Sequence, residues 1–160
     1  MKSITISTTI ELYDSIDELP LEVINLMKTA VEAREKAYAP YSKFHVGAAI
    51  LLDNNEVIPG SNQENASYPS GLCAERTAIY YAGAKYPKAV MKRIAISATS
   101  VNHAVTSPIP PCGACRQAIA EYEIKQNEPI EIYFMGESGK VAKSNSLKEL
   151  LPLAFDRSNL

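Results

Sequence analysis

A nearly continuous apolar run at residues 45–52 (HVGAAILL) constrains the fold of this chain more than any other feature of its sequence. The run lacks the alternation of apolar and polar residues that is typical of a strand with one solvated face. It therefore predicts a strand that is covered on both faces. The run is also far too short to span a bilayer.

Predicted strands and helices alternate along the rest of the chain. Further strands are predicted at residues 56–61, 93–99, 130–135 and, more weakly, 139–144, and helices at residues 17–38, 73–86 and 112–124. Pro111 and the prolines before it exclude a helix upstream of Cys112. This alternation predicts a layered α/β domain whose strand order stays open. Residues 3–12 alternate in polarity and predict either an edge strand or a flexible tail.

The composition is that of an ordinary globular domain. The 160 residues carry a formal net charge of −2, with 46% hydrophobic and 21% charged residues. Because no block of basic residues stands out, a polynucleotide partner is not expected. Lys2 is not followed by an apolar signal segment, and no membrane partner is expected either. We therefore expect a cytoplasmic location.

The three cysteines form the most informative pattern. An odd number of cysteines argues against a disulfide framework. Cys112 and Cys115 are three residues apart at a predicted helix start, where Cβ atoms lie about 5–6 Å apart. This spacing suits two thiolates on one tetrahedral zinc ion, and Cys73 opens another predicted helix. Helix N-termini favour thiolates, so two helix starts could bring three thiolates to one point.

The number of cysteines bears on the type of metal site. A structural zinc normally has four protein ligands, whereas a catalytic zinc keeps one position for water. Three cysteines favour an open site unless His45 or His103 adds a fourth ligand. Arg76 could donate hydrogen bonds to the thiolates, although a solvated surface arginine is an alternative. Taken separately, the Cys-x-x-Cys pair could be redox-active or half of a structural site, and Cys73 a buried core thiol.

Several motifs together resemble the cytidine deaminase family, in particular its small homotetrameric, zinc-dependent branch. They are residues 37–44 (AYAPYSKF), 62–69 (NQENASYP), 73–78 (CAERTA), 111–117 (PCGACRQ) and 149–152 (ELLP) with Phe155. The resemblance covers roughly residues 20–157. It implies a three-layer α/β/α sandwich around a central mixed, mostly five-stranded sheet. We expect residues 16–160 to form this domain and residues 1–15 to be an N-terminal extension, for which the family offers no counterpart.

The resemblance also implies a reaction and a catalytic residue. It indicates hydrolytic deamination of cytidine and 2′-deoxycytidine to uridine and 2′-deoxyuridine, with release of ammonia, as in pyrimidine salvage. One Zn2+ per chain would be held by Cys73, Cys112 and Cys115 and would activate the water that attacks C4. Glu75 would carry the protons without binding the metal, and His45 and His103 are not expected to be ligands.

Substrate contacts are implied at five positions. Asn62 and Glu64 resemble the pair that hydrogen-bonds the ribose hydroxyl, and Phe44 resembles the aromatic residue on the pyrimidine face. Tyr68 and Phe155 resemble residues that complete the pocket of a neighbouring subunit in a homotetramer.

Three other functions fit the sequence less well. A blasticidin-type antibiotic deaminase is disfavoured by the Asn62-x-Glu64 ribose motif. A nucleotide deaminase would more often have histidine at position 73. A non-catalytic structural zinc module would need a fourth protein ligand and would leave Glu75 without a role.

Overall fold

One mixed sheet of six strands runs through the computed structural model, which describes residues 1–160. In chain order the strands are Glu11–Tyr13 (β1), Phe44–Leu52 (β2), Val57–Ser61 (β3), Met91–Ser100 (β4), Glu131–Met135 (β5) and Val141–Ser144 (β6). Their order across the sheet is β1-β6-β5-β4-β2-β3. Only β4 and β5 are parallel, and all other neighbours are antiparallel.

Helices cover both faces of the sheet. They are Leu21–Arg34 (α1), Ala74–Lys85 (α2), Gly113–Gln126 (α3) and the short Leu147–Leu150 (α4). Side chains of β2 alternate between two apolar clusters: Ala49 and Leu51 pack with α1, whereas Ala48 and Ile50 pack with α2, α3 and α4. The residue 45–52 run is therefore apolar because both of its faces are buried. The expected three-layer α/β/α sandwich is confirmed.

The strand count differs from the expected five because the N-terminal segment adds an edge strand. β1 pairs antiparallel with β6. The Asn145 side chain donates to Glu11 Oε1 at 2.9 Å, and Lys143 Nζ lies 3.6 Å from Glu11 Oε2. Residues 1–10 form no helix or strand, so only the end of the alternating 3–12 segment joins the sheet. The domain division at residue 15 stays a prediction.

The first long helix is shorter than the sequence predicted. α1 begins after Pro20, which caps it, and ends at Arg34 rather than at residue 38. The reason is a contact distant in sequence: the Tyr38 N–H donates to the Asn62 C=O at 2.9 Å instead of continuing the helix. The other predicted strands and long helices lie within about three residues of the observed ones.

Two glycines let helices approach the sheet closely. A Cβ at Gly47 would lie 1.9 Å from the carbonyl oxygen of Ala30 in α1, and a Cβ at Gly60 would lie 2.6 Å from that of Ala74 in α2. The contact at Gly60 brings the first turn of α2, with its flanking Cys73, against β3. No helix combines the length and apolar character that a membrane span requires.

Candidate active site

Three sulfur atoms converge where α2 and α3 begin. Cys73 caps the N-terminus of α2, Cys112 caps that of α3, and Cys115 lies in the first turn of α3. The Cys73 and Cys112 sulfurs are 3.8 Å apart, and those of Cys112 and Cys115 are 3.5 Å apart. All three lie within 4.8 Å of one another. Two helix starts that are distant in sequence therefore present three ligands to one point.

This donor set fits zinc. A tetrahedral ion with Zn–S bonds of about 2.3 Å requires sulfurs about 3.8 Å apart, which is close to the distances between these cysteines. Thiolates are soft ligands of the kind that zinc binds well. No histidine, aspartate or glutamate belongs to the group. His45 on β2 and His103 in the loop after β4 both lie outside this group.

The surroundings of Cys73 favour its thiolate form. Hydrogen bonds from Cys115, then from Arg76 and Cys112, lower the pKa of Cys73 to about 5. The pKa of Cys115 is raised, first because its thiol donates to Cys73 and second because it is buried. Cys73 therefore carries a negative charge near neutral pH, which favours a cation beside it.

Arg76 contacts this sulfur cluster directly. Its Nη2 lies 3.7 Å from the Cys73 sulfur, and its Nε is buried without a hydrogen-bond partner. The side chain is therefore not a freely solvated surface arginine. A guanidinium in this position withdraws charge from a thiolate, which makes a metal bound there a stronger Lewis acid.

Glu75 is a buried carboxyl group beside the sulfurs. It lies in the first turn of α2 and is only 4% exposed. Burial raises the pKa of Glu75, and the negative charge of Cys73 adds to this effect. A carboxyl group with a raised pKa exchanges a proton more readily near neutral pH than an exposed one does.

A cavity of about 600 Å³ opens beside these groups. This volume lies within the range of small-molecule sites. Phe44, Asn62, Glu64 and Tyr68 line it, together with Cys73, Glu75, Arg76 and Cys112. The structure therefore brings four of the five expected substrate contacts to the same cavity as Glu75 and two of the three cysteines, with Cys115 buried directly behind them.

Phe155 is the exception. Its side chain is 60% exposed, and its residue does not line the cavity of its own chain. Gln117 Nε2 donates to the Phe155 backbone oxygen at 2.7 Å, which fixes the C-terminal segment beside α3. Tyr68 lines its own chain's cavity although it is 75% exposed.

Sequence reasoning gave no role to several wall residues. Tyr41 lines the cavity, and its ring centroid lies 6.0 Å from that of Tyr68. Ile109 and Pro110 form another part of the wall. The sequence indicates only that Pro110 excludes a helix before Cys112 and gives no signal for Ile109. The aromatic residues of the 37–44 segment were the available signal for Tyr41.

Asn62 and Glu64 hold the backbone of the segment that carries Phe44. Asn62 Oδ1 accepts from the Val46 N–H at 2.8 Å, and Asn62 Nδ2 donates to the Phe44 C=O at 2.9 Å. Glu64 Oε2 accepts from the Tyr41 N–H at 2.8 Å. Hydrogen bonding by the Ser42 side chain is the largest cause of the lowered pKa of Glu64, which keeps this carboxylate ionised at neutral pH.

Comparison with known proteins gives one consistent result. A model of the cytidine and deoxycytidylate deaminase zinc-binding region matches residues 22–127. A cytidine deaminase of Halalkalibacterium halodurans is 40% identical over 135 residues, covering 84% of this chain and 95% of that protein. One of Sporosarcina psychrophila is 38% identical over 141 residues, covering 88% of this chain and 96% of that protein. The crystal structure of a Burkholderia pseudomallei cytidine deaminase has a TM-score of 0.72 at 39% identity, covering 86% of this chain and 100% of that one.

The position of Arg76 generates a prediction about metal affinity. Arg76→Gln removes the charged donor to the Cys73 sulfur, and we expect zinc affinity to fall about 10- to 100-fold with the fold retained. Competition with a chromophoric chelator measures this affinity. Arg157→Gln, which removes the same charge from an exposed C-terminal position, is the matched control and should bind zinc like the wild type. Equal affinity in the two variants would show that Arg76 has no role at the sulfurs.

Proposed function

The chain belongs to the cytidine and deoxycytidylate deaminase family and is a hydrolytic deaminase, and we propose that Glu75 and the three-cysteine centre convert cytidine and 2′-deoxycytidine to uridine and 2′-deoxyuridine. One observation carries this proposal: the buried carboxyl group of Glu75 lines one cavity of about 600 Å³ with Cys73 and Cys112, and the buried Cys115 sulfur lies within 4.8 Å of the other two sulfurs. The protein needs such an arrangement to hold a metal and to move protons at the same end of the substrate ring.

We assign one zinc ion per chain to Cys73, Cys112 and Cys115. When bound, zinc would supply a Lewis acid that makes water nucleophilic near neutral pH. No histidine, aspartate or glutamate side chain joins the three cysteines, so a zinc ion held by them would keep a coordination position for water. Arg76 offsets part of the negative charge of this ligand set through its contact with Cys73.

Glu75 moves the protons. Its carboxylate takes a proton from the attacking water and delivers it to ring N3 as the C4–O bond forms. It then takes the remaining hydroxyl proton and delivers it to the amino nitrogen. The C4–N bond breaks, ammonia leaves, and the C4 carbonyl of the uridine product remains. Water and substrate together supply all atoms of uridine and ammonia, so no further reactant is needed.

The cavity wall favours a nucleoside over a nucleotide. Phe44 is half-buried at the wall and offers a ring face to the pyrimidine. Glu64 is ionised and has one carboxylate oxygen bonded to the backbone, which leaves the other to accept from a sugar hydroxyl. The same negative charge would repel a 3′-phosphate and so disfavours residues within a polynucleotide.

We further propose a homotetramer in which Phe155, together with Tyr68 at the rim of its own chain's cavity, completes a neighbour's pocket. The exposure of both aromatic side chains supports this proposal, because large exposed aromatics are typical of surfaces that bind another chain. The activity fits a cytoplasmic enzyme of pyrimidine salvage, since it returns free cytidine nucleosides to the uridine pool.

The role of Glu75 is tested by Glu75→Gln, which keeps the shape of the side chain but cannot carry a proton. We expect unchanged zinc content and folding, with kcat for cytidine reduced at least about 100-fold. Ammonia release from cytidine, 2′-deoxycytidine and cytidine 3′-monophosphate measures activity, and the wild type should act on the two nucleosides alone.

Glu123→Gln is a matched control for loss of a buried carboxylate. Glu123 accepts hydrogen bonds from the Ile130 and Leu147 backbone N–H groups, away from the cavity, so its loss should lower stability and leave the mechanism intact. Full activity of Glu75→Gln would exclude Glu75 as the proton carrier.

The shared pocket is tested by Phe155→Ala. Phe155 does not line its own chain's cavity, so any loss of cytidine binding in this variant would come from a neighbour's pocket. We expect the variant to stay oligomeric while KM for cytidine rises about tenfold. Light scattering and steady-state kinetics measure the two properties. An unchanged KM would place Phe155 outside every pocket of the assembly.

A further inference from the structure

β2 begins at Phe44, but the neighbouring strand β3 does not pair with this first part of β2. The pairing of β2 with β3 ends at Gly47 and Ser61. On the other side, β4 continues to pair with β2 as far as Phe44. The backbone groups of Phe44 and Val46 that face away from β4 therefore need other hydrogen-bond partners.

Asn62, the residue directly after β3, supplies these partners. Its backbone N–H donates to the Val46 C=O at 3.2 Å. Its side-chain Oδ1 accepts from the Val46 N–H at 2.8 Å, and its Nδ2 donates to the Phe44 C=O at 2.9 Å. One carboxamide thus extends the β2–β3 ladder beyond the end of β3, as a further backbone pair would.

Asn62 is in turn held by the segment after α1. Its C=O accepts from the Tyr38 N–H at 2.9 Å, the contact that also ends α1 early. The residue therefore connects three parts of the chain at the cavity wall: the segment after α1, the end of β3 and the open edge of β2. A small displacement of this connection moves the backbone of Phe44.

We propose that Asn62 is a positioning residue, which fixes the orientation of the Phe44 ring through the β2 backbone; this role rests on the proposed function. It is separate from a direct contact with the ribose. A carboxamide has two N–H groups, and the bond to Phe44 uses one, which leaves the other for a substrate hydroxyl. Loss of a ribose contact weakens only substrates that carry the hydroxyl, whereas a displaced Phe44 weakens every pyrimidine that packs on it.

Two nucleosides separate the contributions: cytidine and 2′,3′-dideoxycytidine, which lacks the 2′- and 3′-hydroxyls. We expect Asn62→Ala to lower kcat/KM for dideoxycytidine by about tenfold, mainly through KM. In a Phe44→Ala background the same substitution should have little further effect on dideoxycytidine, because the two residues act through one ring. If Asn62→Ala folds poorly, Asn62→Asp replaces it in this test. The aspartate keeps the acceptor for Val46 but loses the donor to Phe44, and its effect on dideoxycytidine should likewise disappear in the Phe44→Ala background.

Asn54→Ala is the matched control. Asn54 also bonds its side-chain oxygen to a backbone N–H, that of Glu56, but it lies in the turn at the other end of the β2–β3 hairpin. This variant should keep the wild-type kcat/KM for both nucleosides. The proposal would be overturned if the Asn62 variants kept the wild-type kcat/KM for dideoxycytidine. It would also be overturned if the loss of kcat/KM in the double variant were the product of the losses in the two single variants.

A second measurement does not depend on turnover. The chain has three phenylalanines, so protein labelled with 4-fluorophenylalanine gives three fluorine resonances, and Phe44→Ala identifies that of Phe44. Asn62→Asp should shift or broaden this resonance, and Asn54→Ala should not. An unchanged Phe44 resonance would reject the positioning role even in an active enzyme. If the wild type failed to deaminate cytidine, the proposed function would be rejected. The fluorine resonance of Phe44 would still show whether Asn62 positions this residue.

Discussion

The N-termini of α2 and α3 meet so closely that the sulfurs of their capping cysteines lie 3.8 Å apart. The rest of the site depends on this contact. Each helix start carries a partial positive charge that favours a thiolate, and the first turn of each helix adds a further functional group. That group is Glu75 in α2 and Cys115 in α3. One structural contact thus determines both where a metal can bind and where the buried carboxyl group of Glu75 lies.

Packing along the two helices holds their starts together. A Cβ at Gly60 would lie 2.6 Å from the Ala74 carbonyl, so only glycine lets α2 lie this close to β3. Further along α2, Gly83 contacts the Tyr122 ring of α3, and a Cβ there would lie 2.4 Å from its hydroxyl oxygen. On the α3 side, Arg116 donates to the Pro111 and Leu150 carbonyls at 2.8 and 2.9 Å, which fixes the segment before Cys112. These contacts explain how a metal centre can form from parts distant in sequence.

Much of this structure follows from local patterns in the sequence. The apolar 45–52 run indicated a strand buried on both faces, and the prolines before Cys112 indicated where α3 begins. The early end of α1 could not be predicted in this way, because it depends on a hydrogen bond between Tyr38 and Asn62. The sixth strand also depends on a distant partner: only contact with β6 distinguishes Glu11–Tyr13 from the unpaired residues before it. Side-chain bonds to a distant backbone, as at Asn62 and Glu64, leave no periodic signal in the sequence.

The central claim is that three sulfurs bind one zinc ion and leave a position open to solvent. X-ray absorption at the zinc edge of the purified protein tests it most directly, because it counts ligands by element and distance. We expect three sulfur neighbours at about 2.3 Å and one oxygen neighbour at about 2 Å. The oxygen neighbour should be replaced or shifted when a cytidine analogue binds. Four sulfur neighbours, a histidine signal in place of the oxygen, or fewer than three sulfurs would contradict it.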